Sequence, residues 1–213
     1  MRVRDVMTTN VVTIPSSTSL SDARRIMDAH GFKRLPVVDK NKLMGVVSRD
    51  TLEKAGPSKL TTFSMHELSY LLSKVTVREV MKRDLVTVSA ESTVEEAVAM
   101  AQNRKVGSLL VVEDGKLIGI ATTNDFFYKI ANPILGIDKP GVRFSIHNCC
   151  GVDDLQRALA VISKFDVEIV TLYTMVHPDT DKHDLILHLN LKEPGALLET
   201  LSKEGFEVHE RAR

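Results

Sequence analysis

The chain has 213 residues, with 28 Lys+Arg against 28 Asp+Glu, so it offers no basic field to hold a polyphosphate backbone and is long enough for one large or two small domains. Its 43% apolar and 26% charged residues exclude a disordered or fibrous chain, and no apolar run approaches the roughly 18 residues of a membrane span. Met1-Arg2-Val3-Arg4-Asp5 lacks a signal-peptide core, and the adjacent Cys149 and Cys150 cannot staple distant segments, so a cytoplasmic protein without nucleic-acid or membrane partners is expected.

An internal repeat organises the first two thirds. Sliding residues 3–48 by 74 positions aligns Val3 with Val77, Val6 with Val80, Met7 with Met81, Val12 with Val86, Leu35 with Leu109, Val37 with Val111 and Gly45 with Gly119. In each copy an extended start (Val11–Ile14; Leu85–Val88) leads to a helix whose capping box is Ser19 with Asp22, or Thr93 with Glu96. Leu20, Ala23, Ile26 and Met27 follow helical spacing, as do Val94, Ala97, Val98 and Ala101, and Gly31 suits a left-handed helix end. Two short apolar runs come next, Leu35–Val38 and Met44–Val47 in copy one, Leu109–Val112 and Leu117–Ala121 in copy two, each pair around a polar turn. Such a unit is too small to bury its own faces, which favours stacking of the copies. Between them, Gly56-Pro57-Ser58 breaks the chain, and Ser64 and Glu67 cap a short amphipathic connector helix.

After Asn132-Pro133 and Lys139-Pro140-Gly141 the pattern changes. Alternating Val142, Phe144 and Ile146 predict a strand; Leu155, Ala158, Leu159 and Ile162 a helix; Val167–Val176 and Asp184–Leu191 two strands. Pro194 opens a helix, Gly205 ends it, and Phe206–His209 is a last strand. The order βαββαβ predicts a ferredoxin-like unit. The expected fold class is therefore α+β, with units at 1–56, 75–132 and 140–213 and a connector at 57–74.

The sharpest local chemistry is Gly119-Ile120-Ala121-Thr122-Thr123-Asn124-Asp125. At a strand-to-helix junction, Thr122 can donate to a phosphate oxygen, helix amides can assist, and Asp125 can accept from a ribose diol. Thr-x-x-Asp also fits a plain helix N-cap, so both readings stand on these residues alone. No nucleophile elbow, HExxH, P-loop or GxGxxG appears, and no catalytic residue is expected.

The doubled unit, with Val6-Met7, Val11-Val12-Thr13-Ile14, Leu35-Pro36-Val37-Val38-Asp39 and Lys42–Ser48, resembles a cystathionine-β-synthase (CBS) domain across nearly all of residues 1–130. That resemblance implies paired clefts for an adenosyl ligand such as AMP, ADP, ATP or S-adenosylmethionine, held as a regulatory ligand with no required cofactor. It implies Val12, Lys33, Arg34, Ser48 and Asp50 as the site of copy one, and Val86, Gly107, Ser108, Thr122, Asn124 and Asp125 as that of copy two. Copy one carries its acidic residue one position early, at Asp50, and copy two has Gly107-Ser108 in place of the cations Lys33-Arg34. His30, Arg49 or Arg104 are candidates for charge from across a cleft.

The last unit resembles an ACT domain, which implies dimerisation or small-molecule sensing, with Asn148, Cys149, Gly151 and Val152 at its ligand turn. The order CBS–CBS–ACT resembles the AcuB family of acetoin-utilisation proteins along nearly the whole chain. The reading is a non-catalytic homodimeric sensor with a regulated partner protein; the alternative is an enzyme of acetoin-related catabolism. Dimer contacts are expected through the CBS helices and an open sheet face around Ile186. Cys149-Cys150 read as loop thiols. Five of seven histidines lie in the last unit, with His147 and His188 facing away from the helices, and are read as solvated or interface side chains with no metal site.

Overall fold

A computed structural model describes residues 1–55, 74–176 and 180–211. Most of the connector at 57–74, with its capping residues Ser64 and Glu67, and the turn at Pro178-Asp179 lie outside the described residues. Two compact units are present, Met1–Phe126 and Phe127–Arg213.

In the first unit each copy begins with a one-turn helix, α1 (Val3–Val6) or α4 (Val77–Val80). Then come α2 (Leu20–His30), β1 (Arg34–Asp39), β2 (Lys42–Ser48) and α3 (Arg49–Ala55) in copy one. Copy two follows with β3 (Thr87–Val88), α5 (Val94–Asn103), β4 (Ser108–Glu113), β5 (Lys116–Thr122) and α6 (Thr123–Phe126). The expected caps form: the Ser19 hydroxyl accepts from Asp22 N–H at 3.0 Å and the Thr93 hydroxyl from Glu96 N–H at 3.2 Å. Gly31 ends α2 at φ 67°. The hairpins turn on Lys40-Asn41 and Asp114-Gly115, all at positive φ, which suits the right-handed twist of the flanking strands. The extended start of copy one pairs less than expected, through a single parallel bridge from Ile14 to Val37, whereas β3 pairs with β4 over two residues.

The repeat is reciprocal in space. Isolated bridges join Thr8 to Ile120 and Lys82 to Val46, and Arg2 to Thr93 and Thr76 to Ser19. Each pair maps onto the other by the same 74-residue shift. The opening segment of one copy therefore docks on the other. Val3 lies in the copy-two core with Val88, Ala97, Leu109, Val111 and Ala121, and Met7 packs against it. Val77 and Met81 lie in the copy-one core with Leu20, Ala23, Met27, Leu35 and Val37. Neither core closes without the other copy's opening segment, which is why small units are stable as a pair.

This exchange dictates two glycines. Gly45 and Gly119 sit at matching bulges, opposite Val37 and Val111. A Cβ on Gly45 would stand 2.7 Å from Met81 Sδ and 2.9 Å from the Lys82 carbonyl oxygen; on Gly119, 2.6 Å from Met7 Sδ and 3.2 Å from the Thr8 carbonyl oxygen. The bare backbone makes room for the crossing segment.

The second unit opens with a π-helical turn (Phe127–Ala131) and α7 (Asn132–Leu135). It continues β6 (Val142–Ile146), α8 (Val152–Ile162), β7 (Ile169–Val176), β8 (His183–Leu189), α9 (Gly195–Lys203) and β9 (Val208–Glu210). The sheet order β7-β8-β6-β9 follows the split β-α-β topology. Phe144, Ile146, Leu185, Leu187 and Leu189 form a buried core with Ala158, Ile162, Leu197 and Leu201 of α8 and α9.

The opposite sheet face departs from expectation. Ile186 and His188 do point away from the helices, yet they are 4% and 1% exposed. Arg143 donates to the Gly136 carbonyl, and His188 Nε2 lies 3.0 Å from the Pro140 carbonyl oxygen. The segment ahead of β6 therefore covers part of the face that was expected to be open. His188 is a buried side chain there, and Ile186 is unavailable to a partner.

Candidate functional site

A cleft of about 640 Å3 opens between the two copies of the first unit, within the range of small-molecule sites. Its walls come from both copies. Copy one supplies Thr8, Val11, Val12 and the run Gly31–Arg34; copy two supplies Gly107, Ser108, Ile120 and the run Thr122–Asp125. The swapped opening segment makes this juxtaposition: Thr8 N–H donates to the Ile120 carbonyl at 2.9 Å, drawing Val11 and Val12 alongside the end of β5. Lys33 and Arg34 stand where β1 begins, after the turn at Gly31, and Gly107 and Ser108 stand at the same place before β4.

Asp125 is anchored on two sides. Its Oδ2 accepts from the Thr122 hydroxyl at 2.6 Å and from Thr122 N–H at 2.9 Å, and Asp125 N–H donates to the Thr122 hydroxyl at 3.3 Å. That is a capping box at the start of α6, so the plain N-cap reading of Thr-x-x-Asp holds as local structure. Its Oδ1 accepts from the Thr8 hydroxyl of the other copy at 3.3 Å. These bonds orient the carboxylate, which lines the cleft. The helix behind it runs only from Thr123 to Phe126 before the π turn, so amide assistance amounts to one turn.

Charge reaches this carboxylate's cleft from the other copy. A Cβ on Gly107 would lie 3.4 Å from Arg34 Nη1, which places the guanidinium against the backbone of the second copy. The missing cation at Gly107-Ser108 thus has a physical counterpart: Arg34 occupies the space that a side chain there would contest. The resemblance implies one site per copy; this cleft draws its lining from both copies. Val12, Lys33 and Arg34 share one cleft with Gly107, Ser108, Thr122, Asn124 and Asp125, whereas Ser48, Asp50 and Val86 do not line it. Val86 packs against the copy-two core. None of the three expected cross-cleft cations lines it either: Arg49 pairs with Asp28 at 2.7 Å, His30 stacks on Phe32 at 5.2 Å, and Arg104 ends α5.

Copy one carries no carboxylate at the place equivalent to Asp125. In the strand register Arg34 faces Ser48 just as Ser108 faces Thr122, so the counterpart of Asp125 is Thr51, not Asp50. The Ser48 and Thr51 hydroxyls lie 2.9 Å apart and Thr51 N–H donates to the Ser48 hydroxyl at 3.2 Å, the same cap without the carboxylate. The early acidic residue is exposed and offset by one position along the helix. The pair is therefore asymmetric: one wall carries a charged acceptor and its equivalent carries a hydroxyl.

At the turn expected to bind a ligand in the second unit, Asn148 takes φ 52° and Gly151 precedes α8. Asn148 N–H donates to Asp184 Oδ1 at 3.2 Å. Cys149 is 1% exposed and belongs to the core; burial, helped by the nearby Asp154 charge, pushes its thiol up to about 11. It is a structural side chain, while Cys150 and Val152 are exposed.

The CBS-domain family matches residues 3–57 and 77–132, over half of the chain. Inosine-5'-monophosphate dehydrogenase from Korarchaeum cryptofilum is 30% identical over 167 residues, 78% of this chain but 32% of that protein. The enzyme of the same name from Methanocaldococcus jannaschii is 29% identical over 160 residues, 74% of this chain and 29% of its own length. The chain thus spans about a third of these curated relatives. Among solved structures, a Vibrio cholerae protein carrying the name acetoin utilization protein (AcuB) is similar with TM-score 0.54 and 32% identity over 64% of this chain and 96% of its own. CBSX2, solved in complex with AMP, is similar with TM-score 0.51 and 30% identity over 62% and 96%. Among the described residues no helix is long and apolar enough to cross a membrane. The reciprocal repeat, the shared cleft and the two matched segments lead to one conclusion: the chain belongs to the CBS-domain family and carries a tandem CBS pair.

Proposed function

We propose that the CBS pair binds an adenosyl ligand in the cleft between Lys33-Arg34 and Asp125, and that the protein is a non-catalytic regulator. The observation that carries this reading is that the cations Lys33 and Arg34 of one copy and the anchored carboxylate of the other line one cleft together with apolar Val11, Val12, Pro36 and Ile120. A planar base fits the apolar strip, a ribose diol can donate to Asp125, and a phosphate can meet Lys33 and Arg34. AMP in the similar CBSX2 structure supports the ligand class. Such a ligand would act by differential affinity for two arrangements of the copies, passing the signal to a partner protein.

Thermal shift of the full chain with AMP, ADP, ATP, adenosine and S-adenosylmethionine tests this. A ligand at 100 times its dissociation constant adds about 2.7 kcal/mol of stability. Arg34→Ala should weaken AMP and leave adenosine unchanged. No shift with any of these ligands would reject the assignment.

The second unit is read as an ACT-type module for dimerisation or small-molecule sensing, and the likeness to the Vibrio protein supports a link to acetoin utilisation. With Ile186 buried, the contact expected of a homodimer moves to the edge strand β7, where Ile169, Leu172, Met175 and Val176 are exposed. Light scattering should give twice the 23.6 kDa chain mass, and Leu172→Lys with Met175→Lys should halve it. A wild-type monomer would refute the dimer.

A further inference from the structure

We propose that the second unit holds a divalent transition metal at the β9 end of its sheet, on His147, Glu207 and His209. The three offer ligand atoms that all lie within 4.8 Å of one another. The register builds the cluster: His147 N–H donates to the Glu207 carbonyl at 2.9 Å, and His209 faces Ser145, so the two rings lie diagonally across the strands. They stack with centroids 4.2 Å apart, an arrangement that His209 must leave to share an ion with His147. Glu207 Oε1 lies 3.6 Å from His147 Nδ1 and 3.3 Å from His209 Nε2. Donors held at 2.0–2.1 Å around a tetrahedral ion are about 3.4 Å apart, so two of the three separations already match. Glu207 and His209, 64% and 53% exposed, can rotate to close the third.

The fourth group sets this apart from a chance meeting of surface side chains. Asp184 Oδ2 lies 3.7 Å from His147 Nε2, on the ring edge away from Glu207, and its side chain is 10% exposed. The other Asp184 oxygen accepts from Asn148 N–H. A carboxylate placed behind a histidine favours the tautomer with the proton on Nε2, which would leave Nδ1 to face the metal. Two imidazoles and one carboxylate, with positions left for water, suit zinc or a similar borderline ion over calcium or magnesium, which prefer oxygen donors.

Alternation along the strands puts His147 and His188 on one sheet face and does not join His147 to Glu207 and His209. The structure seats His188 opposite Arg143, under the covering segment. The third ligand is instead Glu207, two residues before His209.

Calorimetry with zinc chloride on the full chain tests the site, with cobalt(II) absorption in the visible range reporting coordination by nitrogen and oxygen. One equivalent should bind, with release of protons from the ligands. His209→Gln and Glu207→Gln, both at exposed positions, should each weaken zinc at least tenfold with the thermal midpoint of the apoprotein retained. Asp184→Asn should weaken it about 10- to 100-fold at unchanged stoichiometry. Cys150→Ser should have no effect. No binding, binding unaltered in His209→Gln and Glu207→Gln, or loss of binding in Cys150→Ser would each overturn the proposal.

Discussion

Asp125→Ala is expected to lower AMP affinity by about 10- to 150-fold, the equivalent of about 1.5–3 kcal/mol for a hydrogen bond to a charged group. Asp125 faces the cleft from a fixed position, held by Thr122 on one side and Thr8 on the other. Its loss also removes the cap on α6, so a modest drop in thermal stability should accompany the effect. Thr51→Ala is the matched control, because Thr51 holds the equivalent place in copy one and makes the same kind of cap. It should lose comparable stability and keep AMP affinity within about twofold, since no charged acceptor is removed. Isothermal calorimetry separates the two. Equal affinity in wild type and Asp125→Ala would remove Asp125 from the site, and equal losses in both variants would mean that both clefts bind.

The second large effect concerns the exchanged segments. Gly45→Ala and Gly119→Ala should each destabilise the fold by about 1–3 kcal/mol, the usual cost of forcing atoms into a filled core. The two differ in what can yield. At Gly119 the nearest obstacle is the flexible Met7 side chain, with the Thr8 carbonyl at 3.2 Å; at Gly45 the Lys82 carbonyl is already at 2.9 Å. In a Met7→Ala background, Gly119→Ala should therefore cost about 1 kcal/mol less than in wild type, a coupling typical of residues in contact. Met81→Ala should relieve Gly45→Ala less. Urea unfolding of the four variants and their two double mutants measures this. Strict additivity at Gly119 would mean that the opening segment of copy one does not lie on the strand of copy two.

Much of the fold was legible because local signals and the repeat agreed. The caps at Ser19 and Thr93, the left-handed Gly31 and the two apolar runs per copy all appear where the spacing put them. The one-turn helices at Val3 and Val77 were missed: four residues are too short for periodicity to register, although Thr76 with Glu79 is a capping box. Their exchange between copies is a long-range fact, carried locally only by two glycines whose purpose is invisible without the partner segment.

The same exchange explains why the sequence does not show which residues meet across the copies. Reading along one copy, Lys33 and Arg34 belong with Ser48, and Thr122 with Gly107. In space the swapped segment brings Lys33 and Arg34 to Asp125. The likeness of Asp50 to Asp125 was a matter of residue type, and strand register assigns that place to Thr51. Ile186 and His188 show the complementary limit: alternation gives the face correctly, while burial depends on a covering segment that has no periodic signature of its own.

A crystal structure of the full chain grown with AMP tests the central claim most directly. The account predicts one nucleotide in the cleft between the copies, its ribose hydroxyls within about 3.2 Å of the Asp125 carboxylate and its phosphate on Lys33 and Arg34. AMP seated instead beside Ser48 and Thr51, or bound without contact to Asp125 and Arg34, would contradict it.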